Sequence, residues 1–303
     1  IIIVGAPRSG TTFLKEILSF HRDIWHLPAE SHHILEGPLH PEKFSQFSNK
    51  PDETFQLENV EKERIRNKFF NGAINLSILP FGKRITDKVR KYRFYRKLSI
   101  VILGKLSKLS KNKPIIFLEK TPKNTVRIKT INSIFPEANY IFLKREPVDN
   151  IFSLLKGWKT KTGFIYKLLL QKPRFASSGY KIEDLKKLGI SDLYWRFVLP
   201  PNWKEQDFND LLDVAIFQYD ECNRIAQEDL NKYVNSDKII RIDYTNLINN
   251  KEKVINSILE FCNLEQCKYD YRSLHEMPRI NTSNSSIDMS KQEVFNRYYK
   301  ING

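Results

Sequence analysis

Ile1-Ile-Ile-Val4-Gly5-Ala-Pro-Arg8-Ser9-Gly10-Thr11-Thr12-Phe13-Leu14 opens the 303-residue chain, and its reading decides the fold. Ile1 to Val4 is apolar at every position rather than alternating, the pattern of a strand covered on both faces of a parallel sheet. Gly5 stops it. From Thr11 to Phe20 the apolar residues Phe13, Leu14, Ile17 and Leu18 recur at helical spacing. The loop between has two glycines in the spacing G-x-x-x-x-G. Its backbone can curl so that successive N–H groups point inward, toward the positive end of the following helix. Strand, glycine loop and helix therefore make an anion cradle. A nucleotide P-loop carries Lys after the second glycine; here that position is Thr11, and the group that would reach the outer phosphates of a triphosphate is missing. The cation sits inside the loop, as Arg8, where it can grip a terminal anionic group bidentately.

Further strands are expected at Ile115–Leu118, Tyr140–Leu143 and Lys238–Ile242, and further helices at Thr125–Phe135, Pro147–Leu155 and Glu252–Cys262. Strands alternating with helices imply an α/β fold, a P-loop-type parallel β-sheet flanked by helices. Two stretches break the alternation, roughly 36–113 and 159–205, the second with a Pro200-Pro201 break. They read as helical insertions that wall the carboxyl edge of the sheet, where open α/β folds place their ligands. No repeat or low-complexity linker divides the chain, so residues 1–303 are expected to form one domain.

Hydrophobic residues at 41% exclude wholesale disorder, and the longest strongly apolar run, Leu98–Leu103, is far too short to span a bilayer. The chain begins with Ile1 and opens straight into a strand, which leaves a leader or a Golgi-type anchor upstream open. Only Cys222, Cys262 and Cys267 are present, an odd count with no C-x-x-C pair. Neither a disulfide framework nor a cysteine zinc site is expected, and a cytoplasmic location fits best. Sequons at Asn75, Asn281 and Asn284 matter only in a secretory compartment. The formal charge is +15, with 50 Lys and Arg against 35 Asp and Glu. Residues 83–113 hold twelve of those basic groups and one acid, Asp87, with Tyr92, Phe94 and Tyr95 interleaved; residues 156–176 add six more and no acid. Such tracts can be a solvated helix face, or can draw in a polyanionic acceptor, anionic lipid or nucleic acid.

The stretch Gly5-Ala-Pro-Arg8-Ser9-Gly10-Thr11-Thr12-Phe13-Leu14 resembles the 5′-phosphosulfate loop of the sulfotransferases that use 3′-phosphoadenosine 5′-phosphosulfate (PAPS), in the branch containing carbohydrate and tyrosylprotein enzymes. Phe142-Leu-Lys-Arg145-Glu-Pro147-Val-Asp-Asn-Ile-Phe-Ser153 is similar to that family's 3′-phosphate segment, with Ser eight residues after the Arg. Leu118-Glu119-Lys120-Thr121-Pro122 is similar to its E-K-[TS]-P stretch, whose Lys lies beside the sulfuryl group. Arg241 to Leu247 resembles a further segment but departs from it at the acidic positions, which leaves Tyr244 a weak candidate for the adenine. The resemblance implies that Arg8, Ser9, Gly10, Thr11 and Thr12 hold the 5′-phosphosulfate, that Arg145 and Ser153 hold the 3′-phosphate, and that Lys120 faces the transferred group. PAPS is then the donor cosubstrate, and no metal is required.

Five of six histidines, His21, His26, His32, His33 and His40, surround Glu30, which lies 22 residues after Arg8. Sulfation of a hydroxyl needs a group to take its proton, and a pocketed Glu or His can do so. Relatives of the heparan-sulfate type place a catalytic Glu at a similar distance with a His two residues on, so Glu30 is the expected base and His32 its neighbour or substitute. A zinc site built from His26, Glu30, His32 and His33 is disfavoured by the lack of an H-E-x-x-H pattern. The expected function is transfer of a sulfuryl group to a hydroxyl, or an amine, of an acceptor such as an acidic saccharide, with Arg8, Glu30 and Lys120 catalytic. The sequence does not identify the acceptor or the oligomeric state. Neither a membrane span nor a nucleic-acid partner is expected. The rivals are a P-loop kinase of a small molecule, which Thr11 disfavours, and a basic nucleic-acid-binding protein using 83–113.

Overall fold

Ile2–Val4 forms β1, fully buried as its unbroken apolar run requires, and Thr11–Leu18 forms α1. The chain then builds β2 (Ile24–His26), α2 (His32–Leu35), α3 (Asn59–Gly72), β3 (Ile116–Lys120), α4 (Ile128–Ile134), β4 (Tyr140–Lys144) and α5 (Pro147–Lys159). After these come β5 (Gly179–Lys181), β6 (Tyr194–Arg196), α6 (Leu211–Tyr233), β7 (Ile239–Asp243), α7 (Tyr244–Asn249), α8 (Lys251–Phe261) and α9 (Lys291–Asn302). This is a computed structural model that describes residues 1–75, 115–159, 179–188, 194–266 and 289–302. The basic tract 83–113, residues 160–176, Cys267 and the sequons at Asn281 and Asn284 lie outside the described residues.

Five strands pair in parallel in the order β2-β3-β1-β4-β7. Alternate side chains of each strand leave by opposite faces, so one sheet feeds two cores. Ile2, Val4, Tyr140 and Phe142 pack with Ile65 and Phe69 of α3, Ile128, Ile131 and Ile134 of α4, and Ala226 and Leu230 of α6. Ile3, Ile141 and Leu143 pack on the other face with Leu14, Ile17 and Leu18 of α1 and Ile255, Ile258 and Leu259 of α8. The order places β1 between strands reached by crossovers to either side. That is the switch point at whose carboxyl ends an open α/β sheet has room for a ligand.

Several expected boundaries shift for identifiable reasons. β3 runs on through Glu119 and Lys120 because both pair with β1, Ile2 with Glu119 and Ile3 with Lys120. The expected helix Thr125–Phe135 divides into a 3-10 turn at Pro122–Val126 and α4. Strand β2 was not expected: three residues are too few for a period to show. Helix α6 was not expected either, although Asp210 caps it by accepting from the Leu212 and Asp213 amides and its buried positions recur at helical spacing. Part of the stretch read as an insertion from residue 36 belongs to the core, since α3 covers a sheet face. Phe47 from that stretch packs with Tyr180, Trp195 and Trp203 from the second one in a buried aromatic cluster.

Candidate active site

All five parallel strands deliver a polar residue from their carboxyl ends. Arg8 follows β1, Glu30 follows β2, Lys120 ends β3, Arg145 follows β4, and Tyr244 follows β7. The loop after β1 is held by two bonds to one hydroxyl. Gly5 N donates to Thr125 Oγ1 at 3.1 Å, and Thr125 Oγ1 donates back to the Gly5 carbonyl at 2.7 Å. Gly5 cannot be replaced, because a Cβ there would lie 2.3 Å from the Leu143 carbonyl oxygen. Within the loop Arg8 has φ 71° and Gly10 φ 101°. A left-handed arginine is strained, and strain of this kind persists where a loop must present its amides to a ligand.

Two guanidiniums meet at this loop. Arg145 Nη1 donates to the Arg8 carbonyl at 3.2 Å, and Arg8 Nε donates to Ser153 Oγ at 3.2 Å. Burial and the facing Arg145 charge push the Arg8 guanidinium below its ordinary range. Among the described residues no carboxylate forms an ion pair with either. Ser9 Oγ and Arg145 Nε are buried with no hydrogen-bond partner. Such unmet groups beside two cations suit an anion that supplies the missing acceptors. Tyr244 lies under this pair: the Arg145 guanidinium stands 4.8 Å from the centre of its ring, and the ring closes over Gly10. Tyr244 thus packs against Arg145 and the loop.

On the other side of the loop, Lys120 Nζ donates to Glu30 Oε1 and His32 Nε2 lies 2.9 Å from Glu30 Oε2. Lys120 is 3% exposed, whereas the Glu30 side chain is 36% exposed and so reachable. Burial pushes the Glu30 carboxyl up, but the Lys120 charge and the His32 hydrogen bond outweigh it and hold the group below the usual carboxylate range. The loop carrying Glu30 is fixed to β3 by Ser31, whose hydroxyl donates to Glu119 at 2.7 Å and whose amide donates to Thr121 Oγ1 at 2.9 Å. Lys15 of α1 adds a fourth cation. Its ammonium donates to the Leu27 carbonyl at 3.1 Å and is pushed down to about 8 by burial and by the Lys120 charge.

The expected residues thus fall into two groups flanking one loop, Arg8, Ser9, Arg145 and Ser153 on one side and Glu30, His32 and Lys120 on the other. Gly10, Thr11 and Thr12 form the turn into α1 between them. Arg8 and Ser153, assigned by resemblance to opposite ends of the nucleotide, touch one another. Three other histidines lie apart from this group: His21 contacts the Glu265 carbonyl, His26 the Leu27 carbonyl, and His40 stands edge-on to Tyr180. Among the described residues no group of three or more potential ligands is arranged for a metal. Lys15 and Thr125 were not foreseen, and Glu119 was read only as part of the E-K-[TS]-P stretch; only the Lys in an amphipathic helix could have flagged Lys15. Asn75 is buried and donates to the Arg22 carbonyl, so it is not an accessible glycosylation acceptor.

A model of the sulfotransferase family matches residues 1–173. No curated protein matches the chain. Among solved structures, the chain is similar to the sulfotransferase domain from the curacin biosynthetic pathway, at 14% identity over 99% of this chain and 96% of that one, with a TM-score of 0.42. Sulfotransferase STF9 from Mycobacterium avium is similar at 14% identity over 99% and 76% of the two chains, with a TM-score of 0.42. Mouse sulfotransferase SULT7A1 complexed with PAP is similar at 13% identity over 93% and 63%, with a TM-score of 0.34.

Proposed function

Because the chain belongs to the sulfotransferase family, we propose that it moves a sulfuryl group from PAPS to a hydroxyl of an acceptor by in-line displacement. The observation that carries the donor assignment is the pair Arg8 and Arg145, joined through one carbonyl at 3.2 Å, beside the unmet Ser9 Oγ and Arg145 Nε. Two cations held together, with no carboxylate ion-paired to either among the described residues, suit a ligand with more than one phosphate. When bound, the donor supplies an electrophilic sulfur and a phosphate leaving group. Arg8 and the amides of Ser9, Gly10, Thr11 and Thr12 bind its 5′ end, while Arg145 and Ser153 bind the 3′-phosphate. Arg8, already on Ser153, lies between the two.

Glu30 takes the acceptor's proton on a carboxylate oxygen. In the resting site Lys120 and His32 occupy that carboxylate and weaken it as a base. Lys120 Nζ, once turned toward the developing charge on the sulfuryl oxygens, releases Glu30 and restores its basicity. One movement thus places the cation and frees the base. The acceptor we propose is an acidic saccharide, on the strength of the chain's +15 charge. The cytoplasmic location we propose rests on the low cysteine content, with Cys222 and Cys262 free.

Thermal shift tests the donor. Adenosine 3′,5′-bisphosphate at about 100 times its Kd stabilises by about 2.7 kcal/mol and raises the midpoint by several degrees, well above adenosine 5′-phosphate. A larger shift from ATP with Mg²⁺ overturns the reading in favour of a kinase.

A further inference from the structure

The helix that begins at the anion cradle carries one ammonium that the reaction just described does not use. Lys15 lies in the second turn of α1, four residues after Thr11 and so on the same face of the helix. Its neighbours Leu14, Ile17 and Leu18 are fully buried against the sheet. Lys15 Nζ donates to the Leu27 carbonyl at 3.1 Å, and among the described residues it forms no ion pair with a carboxylate. Leu27 is where the loop bearing Glu30 leaves β2. The Leu27 side chain is buried, which fixes where that stem begins. Pro28 and Ala29 are exposed, and Pro28 has no N–H, so neither packing nor a Pro28 amide holds the chain between Leu27 and Glu30. What directs the stem is the peptide plane after Leu27, and its carbonyl is the handle. His26 Nδ1 also lies 2.7 Å from that carbonyl, but His26 is the preceding residue and ties Leu27 only to its own strand. The far end of the loop is fixed to β3 through Ser31. Lys15 supplies the bond from the near end to another element.

We propose that Lys15 is a positioning residue, whose charge-assisted bond to the Leu27 carbonyl sets where Glu30 stands relative to the donor cradle one helix turn away. The inference rests on Glu30 being the base and on the cradle holding the donor. Base and sulfur must line up on a single hydroxyl, and an error of about 1 Å in such an alignment costs about 100-fold in rate. A cation suits this post better than a neutral donor, because charge-assisted hydrogen bonds are roughly twice as strong. The charges that act on Lys15 are Lys120 and Glu119 of β3, Glu30 on the loop, Glu16 beside it on α1 and, when protonated, His26 of β2. Burial and Lys120 outweigh the three carboxylates and bring the ammonium down to about 8, so the bond weakens as its charge is lost above that pH. His26, pushed down to about 3 by burial and by Lys15, stays neutral through that range.

The test pairs a structure with kinetics of the whole protein. Lys15→Met keeps an unbranched side chain in place and removes the donor. In a crystal structure of this variant the Leu27–Glu30 segment is expected to shift while Gly5–Thr12 keeps its place; Glu30 in its native position overturns the proposal whatever the activity. Single-turnover transfer from PAPS to a uronic-acid oligosaccharide is expected to fall about 10- to 100-fold, with bisphosphate affinity within about 2-fold of native. A native rate, or a loss confined to affinity, also overturns it. In the native enzyme kcat/KM, which reports groups of the free protein, is expected to decline above about pH 8. Lys15→Arg, whose guanidinium keeps its proton, is expected to hold its activity level through that range, and a decline that persists there counts against the proposal. Should Lys15→Met fail to fold, a native profile that stays level between about pH 7 and 9.5 overturns the proposal with no variant at all. If Glu30 is displaced in Lys15→Met but the native protein neither binds the bisphosphate nor sulfates the oligosaccharide, the reading of the reaction fails and the hold of Lys15 on the loop stands.

Discussion

At Arg8 and Lys120 a single charge can be removed by substitution, and the side-chain hydrogen bonds of the two end on different partners, Ser153 and Glu30. Each substitution to Ala is expected to cut turnover by about 10²- to 10³-fold, the usual cost of losing one preorganised contact to transition-state charge. Bisphosphate affinity separates them. Lys120→Ala leaves it near native, whereas Arg8→Ala weakens it, since Arg8 shares its pocket with Arg145 and Ser153. Single-turnover rates and equilibrium binding of the two variants check this, and equal affinity losses in both would refute the division of roles. These residues were legible in the sequence because each sits in a short ordered motif at a strand end. Lys15 and Thr125 were not. Their meaning lies in partners brought close only by the fold.

The glycine loop between β1 and α1 joins the two halves of the site, and Gly10 is where it is least tolerant. A Cβ at this residue would lie 2.4 Å from the Tyr244 ring, on a backbone with φ 101° that side chains avoid. Gly10→Ala is expected to cost about 1–3 kcal/mol, or several degrees in the thermal midpoint, and to displace Tyr244 from beneath Arg145. Bisphosphate affinity then falls with stability. Gly37→Ala, where nothing lies within 4 Å of the added carbon, is the matched control and is expected to change neither. A Gly10→Ala protein with native affinity would show that the loop binds nothing. At this scale the sequence was readable wherever an element carried its own periodicity or punctuation, as β1, α1, β4 and α8 do. It was unreadable in β2, whose three residues become a strand only through pairing with Ile116, Phe117 and Leu118.

Across the whole molecule the described site is ringed by cations. Lys15, Lys120, Arg8 and Arg145 stand at one edge of the sheet, and the largest basic tract, 83–113, belongs to a stretch that follows α3 and precedes β3. The parallel sheet itself could be foreseen because alternation of apolar runs and helices is a property of the chain. Packing such as that of Tyr180 against Phe47, far apart in the chain, is encoded by no local pattern. Charge nevertheless constrains which acceptor approaches that edge. A net +15 attracts a polyanion over a distance that shrinks as salt rises, from about 10 Å at 0.1 M to about 3 Å at 1 M. An oligosaccharide bearing uronic acid or sulfate groups is therefore expected to bind at least about 10-fold more weakly at 0.5 M than at 0.05 M salt, while a neutral oligosaccharide changes little. Replacing Arg90, Lys91 and Arg93 together by Ala should flatten that dependence, because three released counterions no longer contribute to the slope. Bisphosphate binding in the triple variant supplies the internal reference. If acidic and neutral oligosaccharides respond alike to salt, the tract is not an acceptor guide, and the charge serves another purpose than catalysis.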